Sequence, residues 1–565
     1  MKLMKSKNNF WLKNASKLLD WKQLPKIEYL RFNNYFKWFP DGKINLYENC
    51  IIRHLKKSRN KKAIITIDKN KNLKKYSFQD VHFLTLGFEK KFFNKKKLRV
   101  VIHSSAGIES AISMLSCMKN GFHFCVIFED LEKVAIKKRI SIFKPDLILT
   151  HKPSFFKSIT RTKVVNFKKF DFNKIKKIKN IKIDYYSSNN SLFTLFTSGS
   201  TGEPKGVVHS TGGYALFTIM TCKSKFGVKE NSIILTASDA GWINGHTYSL
   251  IGPLLIGSTT ILISKPTFLL QSKILTLVLS LRLTILYLPV TLIRLLRAIT
   301  NKKKFNTHNL KTLGSMGEPL ARDVGNWFAE KFNLKNKAIV NTYYQTETAG
   351  IICSPSYKDS SIKSPHGSIG STISNHIKIT SFNKIKKEFK ILSAWPGCMK
   401  KLLNGNLEYQ KYWDENGNFR MFDLASKVNK KIYVHGRVDD VINIRGHRIG
   451  SEEIETILLS ISGVTEVAAI AIDDELEGKS IYIFLVSNKK IDAIIEKKII
   501  DNFGTFALPK KIIYLSELPK TRSGKILRRV LRKISDDSQI TNNIDISTIM
   551  NKSVLKEIKK RIYQK

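Results

Sequence analysis

Between Phe193 and His209 the chain reads Phe-Thr-Leu-Phe-Thr-Ser-Gly-Ser-Thr-Gly-Glu-Pro-Lys-Gly-Val-Val-His, the stretch with the densest chemistry in the sequence. A short apolar strand feeds a loop of Thr197, Ser198, Gly199, Ser200, Thr201 and Gly202, and Lys205 and a second strand through Val207 and Val208 follow. Small residues let backbone N–H groups and hydroxyls close around a polyphosphate, and a lysine counters its charge. The P-loop pattern does not fit, because Pro204 stands five residues after Gly199 where that pattern needs glycine. A plain glycine-rich hairpin would need neither the hydroxyls nor the lysine. Polyphosphate binding is therefore the reading.

The elements that must hold such a loop are legible around it. The apolar run Leu98 to Ile102, the helical pattern Ile108 to Met118 and the run Phe124 to Phe128 alternate strand with helix, which predicts α/β layers with parallel sheets. Leu275 to Ile299 is the most apolar long stretch, but Arg282, Pro289, Arg294 and Arg297 break it, so it reads as a buried strand and helix and not a membrane span. Thr150 to Asn190 is lysine-rich and weakly patterned, an exposed surface connection. Near Gly436 the pattern changes: Val438 to Ile444 reads as a strand, Arg445-Gly446-His447 as a turn, and Ser451 as the N-cap of a helix. Glu452 and Glu453 complement that helix start, and Ile454, Ile457, Leu458 and Ile461 make one apolar face. Val464 to Ile472 and Ile481 to Val486 add strands, enough for a small separate α/β domain.

Composition sets the outer limits. The chain has 565 residues, 42% hydrophobic and 25% charged, which excludes a disordered chain, a collagen-like one and a small disulfide scaffold. Its 97 Lys and Arg against 45 Asp and Glu give +52, the balance of a nucleic-acid or membrane-surface binder. The excess is mostly lysine, scattered from Lys2 to Lys565 and accompanied by abundant asparagine and isoleucine, so drift towards A/T-rich codons explains it as well as a polyanionic partner does. No specific nucleic-acid partner is expected. Six cysteines (Cys50, Cys117, Cys125, Cys222, Cys353, Cys398) form no CxxC pair and no zinc spacing, which suits a reducing compartment. The start MKLMKSKNNFWLKN has no apolar stretch behind its charges, so no secretory signal is read and a cytoplasmic location is expected.

The run Thr197 to Gly206 resembles the phosphate loop of adenylate-forming enzymes, the acyl-CoA synthetases and their relatives. Tyr344-Gln-Thr-Glu-Thr348 is similar to their second signature, Gly436-Arg-Val-Asp-Asp440 to their hinge, and Pro519-Lys-Thr-Arg-Ser-Gly-Lys525 to their C-terminal lysine loop. Within that group, Phe10-Trp11, Leu19-Asp20-Trp21, Trp38 to Asn45, Asn49 to Leu55, Gly241-Trp-Ile-Asn-Gly-His-Thr-Tyr248 and Gly314-Ser-Met-Gly-Glu-Pro319 resemble acetyl- and propionyl-CoA synthetases. The resemblance runs from about residue 10 to the end. It implies a layered α/β fold with an N-terminal extension (1–60), an adenylation domain (61–437) and a small mobile α+β C-terminal domain (438–565).

It also implies an AMP-forming acid–thiol ligase using ATP, Mg2+ and coenzyme A, with acetate ahead of propionate. Lys525 would be the adenylation lysine and Glu347 the Mg2+ residue. Asp423 and Arg437 would hold the ribose and Arg448 the phosphate. Gly317, Glu318, Pro319, Asn341, Thr342, Tyr343, Tyr344, Gln345 and Thr346 would line the nucleotide region. Trp242, Ile243, Asn244, Met316 and Tyr344 would form a short acyl pocket. His246 beside Trp242 reads as a buried, hydrogen-bonded structural histidine ahead of a catalytic base. Asp439 would be the hinge, with Arg445 and Gly446 beside the pantetheine tunnel. Leu459 and Val464 join Glu347 as candidate metal residues, although Ile461 stands where acetyl enzymes often have histidine near a second metal position. A lysine acetyltransferase and deacetylase acting on Lys525 are the implied regulatory partners.

This chain departs from the group's pattern at several points. Phe422-Asp423 and Ala237-Ser-Asp239 resemble propionyl enzymes, while Gly314-Ser315 leans to the acetyl type. Tyr344 replaces the usual tryptophan. Arg445 replaces a small residue, which either removes a coenzyme A contact or adds a phosphate contact.

Overall fold

The structure is a computed structural model and describes the chain apart from residues 1–3, 6–8, 94–96, 132, 179–181, 199–203, 301–303, 404, 439–440, 445–446, 475–477, 522–525, 537–548, 550, 552 and 564–565. Two seven-stranded sheets dominate it. In the first, the order is Lys163–Asn166, Leu147–Thr150, Arg99–His103, His123–Ile127, Ser191–Ser198, Pro204–Ser210 and Lys401–Leu402. The first five strands run parallel, and the last two continue antiparallel. In the second, Val340–Asn341, Thr312–Met316, Ile285–Pro289, Ile233–Thr236, Thr259–Ile263 and Lys62–Ile67 are parallel, and Leu73–Ser77 closes the edge antiparallel. Continuous apolar strands such as Arg99–His103 and Thr259–Ile263 are what a sheet buried on both faces requires.

The expected alternation holds. The helix Ile108–Lys119 follows the strand Arg99–His103, and the stretch Leu275 to Ile299 resolves into a helix ending at Ser280, the strand Ile285–Pro289 and the helix Val290–Ile299. Among the described residues no helix is long and apolar enough to cross a membrane. All six cysteines are buried free thiols.

Two expectations are corrected. The stretch Thr150 to Asn190 is not merely a surface connection: it supplies the edge strand Lys163–Asn166 and the helix Pro153–Lys157. Phe156 and Phe167 there are buried, and Phe170 and Phe172 pack on Phe88. Burial of these rings outweighs the solvation of the lysines between them. Ser451 is not the N-cap but the first helical residue; Gly450 caps, and its N–H donates to Glu453 Oε1 at 2.8 Å. The helix Ser451–Leu459 otherwise buries Ile454 and Leu458 as its spacing predicts.

Beyond the sheets, an antiparallel trio (Lys387–Ile391, Phe419–Val428, Lys431–Arg437) leads into the hairpin Val441–Ile444/His447–Gly450. A last sheet of Val464–Asp474, Gly478–Ser487 and Pro509–Tyr514 has its own two apolar cores, one around Ile470 and Phe484 and the other around Ile483 and Leu485. Inside this unit Arg528 pairs with the buried Glu455, which also accepts the Ala469 N–H at 2.9 Å. At the other end, the hairpin Tyr29–Phe32/Tyr35–Trp38 packs its aromatic rings against Trp413 and Tyr409.

Candidate active site

The glycine loop joins two antiparallel strands, with Ser198 opposite Pro204 and Thr197 opposite Lys205. Gly199, Ser200, Thr201 and Gly202 lie outside the described residues, as do Asp439, Arg445, Gly446 and Lys525; of Ser198 and Arg448 only the strand positions are described. Directly opposed strand residues share a face, so Thr197 and Lys205 project together at the base of the hairpin. Lys205 is mostly buried there: its ammonium lies 3.1 Å from Glu408 Oε2 and 5.4 Å from the centre of the Tyr412 ring.

The Gln345-Thr346-Glu347 turn lies against the same hairpin. His209, on the second hairpin strand, places Nε2 2.7 Å from the Thr346 carbonyl, so Nε2 carries the proton and donates. Burial holds this imidazole neutral, down to about 4. Glu347 is buried, and its Oε1 accepts the Tyr412 hydroxyl at 2.8 Å, while Oε2 accepts no hydrogen bond among the described residues. A buried carboxylate with one oxygen so placed suits a hard cation. No group of three or more acidic, imidazole or thiol side chains gathers for a metal among the described residues. Leu459 ends its helix and Val464 starts the next strand, bracketing a turn (460–463) without such side chains.

Asp423 and Arg437 meet across the Phe419–Val428/Lys431–Arg437 pair at 3.6 Å. Asp423 Oδ2 accepts the Tyr343 hydroxyl at 2.7 Å and Gln345 Nε2 at 3.1 Å, and the Gln345 amide also donates to the Met421 carbonyl at 2.6 Å. Burial, and then the Asp423 charge, raise the Tyr343 phenol well above its ordinary value, so it remains a donor. Phe422, between Met421 and Asp423, adopts φ +57°, with the Arg437 guanidinium 5.4 Å from its ring.

The remaining expected residues lie at the ends of the second sheet. Met316 ends its strand, and Gly317 follows at φ +90° with open space where a side chain would stand. Glu318, followed by Pro319, pairs with Arg294 at 2.8 Å. Asn341 accepts from Ser315 Oγ at 3.0 Å and donates to the Ser368 carbonyl at 3.2 Å. Thr342 bonds Tyr287 at 2.6 Å, and the Tyr287 and Tyr344 hydroxyls lie 3.2 Å apart. Trp242 packs on Phe128 at 5.0 Å, Ile243 is buried, and Asn244 Nδ2 reaches Met316 Sδ at 2.6 Å. His246 is buried as expected, between Phe124 and Phe193, but neither ring nitrogen has a hydrogen-bond partner of normal geometry among the described residues. Burial pushes it down to about 3. The Ala240 backbone faces the ring as its polar neighbour, outside normal hydrogen-bond geometry, and aromatic packing surrounds it.

Tyr412, Glu408, His209 and Arg294 are neighbours of the site that the sequence did not single out for it. His209 lies on the very strand that carries Lys205, which was the one available signal. Glu408 and Tyr412 follow no glycine-rich or charged motif and reach the site only through the fold.

A family model of AMP-binding enzymes matches residues 57–384, one of the AMP-binding enzyme C-terminal domain matches 453–525, and one of the acetyl-coenzyme A synthetase N-terminus matches 2–50. Acetyl-coenzyme A synthetase of Helicobacter acinonychis (strain Sheeba) is 31% identical over 617 aligned positions, covering 97% of this chain and 92% of the relative. The protein of the same name from Psychromonas ingrahamii is 30% identical, covering 97% and 93%. Among solved structures, acetoacetyl-CoA synthetase from Streptomyces lividans superposes with a TM-score of 0.83 at 13% identity, covering 98% of this chain and 92% of that one. The anthranilate CoA ligase AuaEII in complex with anthranoyl-AMP gives 0.76 at 18% identity, covering 87% and 98%. At those identities the two structures show the fold.

Proposed function

This chain belongs to the AMP-binding enzyme family, and from that membership we propose that it joins a short-chain carboxylate, acetate foremost, to coenzyme A using ATP. The carboxylate oxygen attacks the α-phosphorus, the bond to the β-phosphate oxygen breaks and pyrophosphate leaves with its electron pair. The coenzyme A sulfur then attacks the acyl carbon of the adenylate and AMP leaves. Such chemistry needs little covalent help, so positioning and charge neutralisation supply the acceleration.

The observation that carries the reading is one turn, Gln345-Thr346-Glu347, that lies on the hairpin and links two carboxylates to it. Glu347 is set there by the His209–Thr346 bond, and Asp423 by Tyr343 and Gln345. In this reading the hairpin wraps the triphosphate, Asp423 and Arg437 take the ribose hydroxyls, and Gly317 leaves its open side to the nucleotide. Glu347 would hold Mg2+, whose charge offsets that of the phosphates. Lys525 brings a cation to the charge developing between carboxylate and α-phosphate. Its loop then withdraws as the C-terminal unit turns about Asp439 and presents the Gly446 side to the thiol. Acetylation of Lys525, reversed by a deacetylase, would remove that cation and switch off the first half-reaction alone. Six buried thiols fit a cytoplasmic setting.

The test is acid-dependent exchange of labelled pyrophosphate into ATP across formate, acetate, propionate, butyrate and acetoacetate. Acetate is expected to give the highest kcat/KM, with propionate the alternative. Exchange with none of these acids would overturn the reading.

A further inference from the structure

Residues 405–413 have no part in the reaction as described so far, yet they touch its phosphate side twice. Tyr412 lies 65 residues beyond Glu347 and donates its hydroxyl to Oε1 at 2.8 Å. The face of the same ring lies 5.4 Å from the Lys205 ammonium. Glu408, one helical turn earlier in the helix Asn406–Gln410, holds that ammonium at 3.1 Å and is itself paired with Lys411. One short segment therefore fixes both the carboxylate and the cation.

That segment is itself clamped from the opposite end of the chain. Tyr409 stacks on Tyr35 at 4.5 Å and 5°, and its hydroxyl donates to the Asn34 carbonyl at 2.9 Å. Tyr35 donates to Asn406 at 2.8 Å, Asn34 to Gln410 at 2.9 Å, and Arg31 to the Gly417 carbonyl at 3.0 Å. On the inner side the Tyr412 ring packs against Phe419 at 5.6 Å and Phe422 at 5.4 Å. A phenol held on several sides presents its hydroxyl in one place, so the order of the carboxylate it meets follows from the order of the ring. A phenol hydroxyl 2.8 Å from a carboxylate oxygen donates to it.

We infer that Tyr412 is a positioning residue: its hydroxyl orients the Glu347 carboxylate and its ring seats the Lys205 ammonium, with the N-terminal hairpin as the brace. The inference rests on the reading of Glu347 as the residue that holds the divalent cation. It gives the hairpin Tyr29–Phe32/Tyr35–Trp38 a task in catalysis although it lies outside the site: it keeps the phosphate side rigid before ATP arrives.

Tyr412→Phe removes the hydroxyl and keeps the ring. ATP binding to the full chain is measured by titration calorimetry with Mg2+ and again with EDTA, beside wild type. Loss of one charge-assisted hydrogen bond to Glu347 predicts about tenfold weaker binding with Mg2+ and a change below about twofold in EDTA. In pyrophosphate exchange the Mg2+ midpoint rises about tenfold while KM for acetate stays fixed. Tyr35→Ala, which loosens the brace outside the site, is expected to move the Mg2+-dependent constant about threefold in the same direction. Equal weakening with and without Mg2+, or no change in either, overturns the assignment and leaves Tyr412 a packing residue. Should wild type exchange with no acid, the reading of the reaction fails, while the calorimetric comparison still decides Tyr412.

Discussion

Asp423 offers the sharpest test of the nucleotide site, because its surroundings predict both a magnitude and a non-additivity. The carboxylate already accepts from Tyr343 at 2.7 Å and Gln345 at 3.1 Å and lies 3.6 Å from Arg437. Asp423→Asn keeps the shape and removes the charge. A hydrogen bond to a charged group contributes about 1.5–3 kcal/mol, so losing the charge-assisted bond to one ribose hydroxyl should weaken ATP about 10- to 150-fold. In wild type, 2′-deoxy-ATP or 3′-deoxy-ATP, whichever lacks the contacted hydroxyl, should suffer a similar loss. The two losses share one interaction and so must not add: the asparagine variant should distinguish ATP from that analogue by less than about threefold. The assay is equilibrium titration of each nucleotide against each protein, with Tyr343→Phe as a control for disturbance of the local network. Full additivity, with both analogues penalised equally in wild type and variant, would refute the ribose assignment and leave Asp423 a structural anchor for the Tyr343–Gln345 turn.

Lys525→Ala should abolish acid-dependent pyrophosphate exchange yet retain thioester formation from supplied acetyl-adenylate; equal loss of both halves counts against the lysine's role. Acid should destabilise the fold through its buried imidazoles. His209 is held down to about 4 and His246 to about 3, both below their unfolded value, so the unfolded chain binds more protons as pH falls through 6.5. Stability from each is full above that pH and is lost towards pH 4, by about 3 kcal/mol for His209. A thermal midpoint that stays flat from pH 7 to 5 would contradict this. His246→Phe should keep exchange within about threefold, since the ring sits between Phe124 and Phe193; a loss beyond about a hundredfold would make it a proton-transfer group.

Local signals were legible where the physics is local. The strands either side of the glycine loop, Ser191–Ser198 and Pro204–Ser210, stand where the sequence placed them, and the apolar runs at Arg99–His103 and His123–Ile127 announce buried parallel strands. Ser451 misled because a strand runs straight into the helix: Gly450 leaves the strand Val441–Ile444/His447–Gly450 and caps directly, with Glu453 reaching back. Between Thr150 and Asn190 the lysines dominate any average, while Phe156, Phe167, Phe170 and Phe172 decide the packing. His246 could be read as buried, but its neighbours could not be read, since they depend on which elements surround it. Tyr412 was invisible for a deeper reason. Nothing in Leu407-Glu-Tyr-Gln-Lys-Tyr-Trp413 names a partner, and its role exists only because Tyr35 and Asn34 hold the neighbouring Tyr409 while the fold brings Tyr412 to Glu347.

The two sides of the site are built on different physical terms, and this bears on which acid it takes. On the side proposed for the phosphates Lys205, Glu347, Asp423 and Arg437 hold charge in fixed places, the arrangement that rewards developing charge most strongly. The end proposed for the acyl group has no charge to fix. Its wall is the hydroxyl run Thr342–Tyr287–Tyr344, with Tyr248 edge-on to both Tyr287 and Tyr344, and burial keeps every phenol neutral. The other residues expected there, Asn244 and Met316, touch each other at 2.6 Å. A neutral, hydrogen-bonded wall cannot yield to a longer chain without leaving a buried hydroxyl unpaired, whereas a methionine is flexible and can shift. Chain-length discrimination therefore falls to Met316 and Asn244, where one methylene is worth only about 1–3 kcal/mol. On the proposed reading, the site commits firmly to adenylation and only loosely to the acid.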